Sequence, residues 1–69
     1  MTKLINKIAK ITGKDANDPT IEMIAKGWVK FTEMQMEQGA TFEQADANTY
    51  KVFKTDIDNF ATFCTMVSL

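Results

Sequence analysis

The sequence predicts an all-α fold, a compact bundle of three to four short helices forming one domain over residues 1–69. Three observations carry that expectation. Apolar residues recur at spacings of three and four in every long segment. Helix start and stop signals punctuate the chain at Gly13, Asp18-Pro19, Gly39 and Thr41. No run of β-branched residues alternates with polar ones, and neither Asn-Gly nor Asp-Gly occurs to close a hairpin.

The first helix is expected over about 3–12. Leu4, Ile5, Ile8 and Ile11 stand at i, i+1, i+4 and i+7, one face of a helix, while Lys3, Lys7, Lys10 and Lys14 fall on the other. Thr2 is the candidate N-cap and Gly13 the candidate left-handed stop. A polar connector, Lys14 to Asp18, leads to the second helix, expected over about 19–38. There the Asp18 carboxylate can accept first-turn N–H groups, and Pro19 at the first helical position forfeits no hydrogen bond.

Ile21, Ile24, Ala25, Trp28, Phe31 and Thr32 form the inward face of this second helix, flanked by Val29 and Met36. Glu22, Lys26, Lys30, Glu33 and Glu37 form the outward stripe, with Glu22 and Lys26 in the favourable i, i+4 order. Met23, Gly27 and Met34 make a second, narrower strip away from the main apolar face, which marks it as a candidate contact surface.

Gly39 ends the second helix, and Thr41 with Gln44 has the spacing of a capping box. From there Phe42, Ala45, Thr49, Phe53, Ile57, Phe60, Cys64 and Val67 repeat at helical spacing. Asp56 would sit on the apolar side of one continuous helix, and Thr55-Asp56-Ile57-Asp58 can restart one. A break near Thr55 is therefore the expectation, with helices over about 42–53 and 56–67. One continuous helix is the alternative.

A 69-residue chain buries only about 60% of the surface its unfolded form exposes, and chains of this size are commonly supplemented by a disulfide, a metal or a partner subunit. With one cysteine and no histidine, the partner subunit is the supplement left. The large apolar residues are many for one small core, so some are expected to face another surface. Charge is uneven as well: net −1 in total, yet residues 1–14 hold four lysines and no acid, against four lysines and nine acids beyond. Such polarity can steer association over about a nanometre at physiological salt.

Composition removes most catalytic chemistry. There is no histidine, no arginine and a single serine, Ser68, so a nucleophile beside an imidazole base cannot be built. Cys64 lies at core spacing and reads as a small buried hydrophobe. Asp15, Asn17 and Asp18 resemble the start of a calcium loop, but Thr20 and Lys26 stand where that loop needs glycine and glutamate. Isolated glycines offer no phosphate cradle. No enzyme, metal, cofactor or small-molecule substrate is expected. Nucleic acid is disfavoured too, since a recognition helix starting at Phe42 would turn Glu43 and Asp46 toward phosphates and no arginine can read guanine.

What remains is binding. The leading expectation is a noncatalytic protein-binding module, a regulator or inhibitor of the phage-accessory kind, docking through Met23, Met34, Met36, Phe63 and Met66 because methionine-rich surfaces adapt to partners. Self-association into a homodimer or larger oligomer through the same apolar excess is the second. Anionic surfaces or nucleic acid held nonspecifically by Lys3, Lys7, Lys10 and Lys14 is the third. The N-terminal segment lacks the apolar run of a signal peptide, the longest uncharged stretch is too short to span a bilayer, and a lone thiol suits a reducing setting, so a cytoplasmic location is expected.

Overall fold

Local chemistry starts and stops each helix. In the computed structural model, which describes residues 2–68, the order is α1 (Thr2–Thr12), α2 (Pro19–Glu37), α3 (Phe42–Thr55) and α4 (Ile57–Ser68), and among the described residues there is no strand. Thr2 already belongs to α1 and does not cap it. Asp18 Oδ1 accepts the Thr20 N–H at 2.9 Å and caps α2. That hydrogen bond, together with the Thr20 hydroxyl and the Lys14 charge, outweighs desolvation and lowers the Asp18 pKa. The stabilisation from this cap is therefore present above the ordinary carboxylate range and disappears as pH falls through the lowered pKa.

At the far end of α2, Gly39 adopts φ 106°, a backbone region that favours glycine. This lets the Gly39 N–H reach Met36 O at 3.0 Å and the Ala40 N–H reach Gln35 O at 3.1 Å. The paired bonds are those of a Schellman stop. The capping box forms as expected: the Gln44 N–H donates to Thr41 Oγ1 at 3.1 Å, and Gln44 Oε1 accepts the Thr41 N–H at 3.0 Å.

The chain breaks between α3 and α4 at Asp56, one residue later than Thr55, with φ −144° and ψ 55°. The Asp56 N–H still donates to Val52 O and its carbonyl accepts from Phe60, so a single residue closes one helix and opens the next. Thr55 Oγ1 bonds back to Lys51 O and does not cap α4. A continuous helix would have turned Asp56 into the core, whereas the bend leaves its carboxylate exposed, accepting the Asn59 amide at 2.8 Å.

Helix α2 is the centre of the bundle. The other three pack against it and α3 also packs on α4, while the backbone of α1 closely approaches α2 alone. Trp28, 1% exposed, anchors the core with Ile8, Ile21, Ile24, Ala25, Phe53, Phe60 and Cys64. Its ring meets Tyr50 and Phe60 edge-on at 6.1 and 6.2 Å and tilts on Phe53 at 5.6 Å. Edge-to-face pairs of this kind add about 0.5–1.5 kcal/mol each beyond burial.

Polar side chains inside the α2–α3 contact are matched to one another. Thr49 Oγ1 donates to Ala45 O at 2.8 Å and lies 3.0 Å from Thr32 Oγ1 and 3.1 Å from Gln35 Nε2, so its one donor and two acceptor positions are all used. Asn48 Nδ2 donates to Gln35 Oε1 at 2.7 Å. Thr49→Val should cost about 1–3 kcal/mol, because the Thr32 hydroxyl and the Gln35 amide lose a buried partner. Adding Thr32→Val should cost less than the sum of the two single changes, and urea unfolding of the double-mutant cycle reads that coupling.

Candidate functional site

Because α1 and α3 both lean on α2 without meeting backbone to backbone, a groove of about 560 Å³ opens along α2 between them. Its buried floor is Trp28 and Thr32, and Leu4 of α1 walls one side. Val29 and Met36 of α2 and Phe42 of α3 form an apolar rim, 36%, 43% and 60% exposed. Phe42 is the first residue of α3, so its ring extends past the layer in which Ala45, Thr49 and Phe53 are buried.

Two carboxylates supply the only charge in the lining, on Glu33 and Asp46. Asp46 spans the α1–α3 gap: Oδ1 accepts Trp28 Nε1–H at 2.8 Å, and Oδ2 pairs with Lys7 Nζ at 3.3 Å. The Lys7 ammonium also sits 5.3 Å from the Trp28 ring centroid and 5.6 Å from that of Tyr50, within cation–π range. Trp28 is thereby fixed in orientation beneath the groove. Glu33 belongs to neither ion pair found among the described residues, which are Lys7–Asp46 and Lys26–Glu22.

Of the five apolar residues singled out from the sequence, Met36 alone lines the groove, on its rim. Met34 and Met66 are exposed elsewhere, at 39% and 66%. Phe63 is half-buried, edge-on to Phe31 at 5.6 Å. Met23 is half-buried, its sulfur 3.9 Å from Thr65 Oγ1 of α4. The strip of Met23, Gly27 and Met34 is thus engaged by this chain's own α4 at two of its three positions, since Gly27 is buried against Cys64. Of the lysines, Lys3, Lys10 and Lys14 are exposed, while Lys7 is drawn to Asp46.

Cys64 is fully buried, with its Sγ 3.8 Å from Ile24 O, and burial raises its pKa to about 11. A thiol so placed stays protonated at neutral pH and is a poor nucleophile. It should ignore a disulfide exchange reagent at pH 8 in the native protein and react completely once the chain is unfolded in urea. Rapid native-state modification would contradict its placement. Among the described residues no group of three histidine, cysteine, aspartate or glutamate side chains converges to hold a metal ion.

Of the rim residues, the sequence singles out Met36 for binding and places Val29 beside it on the flank of the second helix's apolar face. Phe42 falls on the apolar stripe of the third helix, at its very end because it is the first residue after the Thr41 cap. Compared with known protein families, with curated proteins and with solved structures, the chain matches none.

Proposed function

We propose that this protein is a noncatalytic binding module, a small regulator or inhibitor that acts by seating part of another protein in the α1–α2–α3 groove. The supporting observation is the continuity of the exposed apolar rim, Val29, Met36 and Phe42, over a rigid buried floor. Exposed apolar patches bordered by polar residues are what interaction sites look like on small folded proteins. Apolar anchors supply most of an interface's energy, with charge guiding encounter and orientation. No described helix is long and apolar enough to cross a membrane. The proposal assigns the module to a reducing, cytoplasmic setting, supported by its lone cysteine held as a buried thiol.

Met36→Asp combined with Phe42→Asp tests this reading, because both side chains are exposed and the helices should persist by circular dichroism. Affinity for the partner recovered from the native cell should fall at least about 30-fold, the scale of a lost hot spot. Unchanged affinity would overturn the assignment of the groove.

A further inference from the structure

We propose that α1 is a detachable strap: it lifts as one unit from the three-helix body of α2, α3 and α4, before that body unfolds, and Lys7 sets how often it does so. This opening belongs to the free chain and is independent of what the groove receives.

The packing separates α1 from the rest. Helices α2, α3 and α4 form a closed triangle, each set against the other two, whereas the backbone of α1 approaches α2 alone. Every ring-to-ring contact among the described residues joins Trp28 and Phe31 of α2, Tyr50 and Phe53 of α3, and Phe60 and Phe63 of α4. The buried Thr32–Thr49 pair ties α2 to α3, and Gly27 meets Cys64 where α2 crosses α4. Helix α1 adds two buried residues, Ile8 and Ala9, with Leu4, Ile5 and Ile11 partly covered. A segment with few buried contacts, beside a body that closes without it, is the kind that opens below the free energy of global unfolding.

Lys7 is the clasp. Its bond to Asp46 is the one side-chain hydrogen bond or ion pair among the described residues that joins α1 to another helix. The same ammonium lies 5.3 Å from the Trp28 ring and 5.6 Å from that of Tyr50. At the other end, Gly13 at φ 73° starts a polar connector that closes its own turn, with the Asp18 N–H on Asp15 O at 3.0 Å, so a pivot there breaks no bond in the body. Eleven residues are too few to stay helical alone in water, so α1 unravels as it lifts and its amide protons record the event. Lifting takes Leu4 from the groove wall and Lys7 from the Trp28 ring, which is 1% exposed while the strap is down.

Native-state hydrogen exchange of the full-length protein, followed by NMR, provides the test. Amides of residues 6–12 should open at least about tenfold more often than those of 24–28 and 60–64. Lys7→Ala should speed exchange in α1 about 3- to 30-fold, the scale of an exposed ion pair with a cation–π contact. The exposed Lys10→Ala change should alter it by about twofold at most. Gly27→Ala disturbs a contact that persists when the strap is up, so it should speed exchange at 60–64 and leave 6–12 within about twofold. Cys64→Ala takes its place if Gly27→Ala does not fold. Equal opening of α1 and α4 in the native chain, acceleration of both in step by the change at the Gly27–Cys64 contact, or an α1 indifferent to Lys7→Ala would each overturn the strap.

Discussion

Trp28→Ala is expected to remove from about a third to all of this chain's stability. Emptying a buried tryptophan site costs about 3–5 kcal/mol, whereas a domain of this size has a total stability of about 3–10 kcal/mol, from roughly 0.05–0.15 kcal/mol per residue. The loss falls where the structure has no substitute, because Trp28 touches Tyr50, Phe53 and Phe60 and holds the Asp46 carboxylate that ties α3 to α1. Trp28→Phe keeps much of the apolar area but forfeits the 2.8 Å bond to Asp46, so its cost should be intermediate, on the order of 1–3 kcal/mol. Helical circular dichroism through a urea titration measures both. A Trp28→Ala protein with an unchanged urea midpoint would remove Trp28 from the centre of the fold.

Gly27→Ala sets two opposing effects against each other, and their sizes decide the outcome. Alanine improves the helix propensity of α2 by about 1 kcal/mol. Against this, a Cβ at position 27 would overlap Cys64 Sγ and lie 2.9 Å from Cys64 Cα and Cβ. Because the Cα is backbone, relief requires α4 to move away from α2, and overpacking of this kind costs about 1–3 kcal/mol, occasionally more. Since side chain and backbone both obstruct, the cost falls at the upper end of that range and the net loss approaches about 2 kcal/mol, lowering the melting temperature by up to roughly 8–16 °C at 4–8 °C per kcal/mol. Gly27→Val should be worse. In a Cys64→Gly background, which lacks Sγ and Cβ, Gly27→Ala should cost less than it does in the native chain. Strict additivity would mean that the two residues do not meet.

Much of this fold was legible because its signals are local. Asp18-Pro19, Gly39, and Thr41 with Gln44 each act on backbone groups within four residues, and each did so at the expected place. Asp56 exposed the break between α3 and α4 because a carboxylate on an apolar stripe has no favourable place in a continuous helix. The site was less legible because it depends on contacts between residues distant in sequence. Gly27 meets Cys64 across the α2–α4 packing, which turned a strip expected to face outward into an internal helix contact. Lys7 reaches Asp46 thirty-nine positions away. Phe42 shares the spacing of its buried stripe and differs only in standing at the end of it, which periodicity does not register.

The most direct measurement is solvent relaxation NMR of the free protein with a soluble uncharged paramagnetic probe. The Val29 and Met36 methyl groups and the Phe42 ring should broaden strongly, while the Ile8 and Ile21 methyls and the Trp28 indole ring remain sharp. Protected Met36 and Phe42 signals would mean that the groove is already closed in the free protein, and broadened Ile8 and Ile21 methyls would mean that the core around Trp28 does not form.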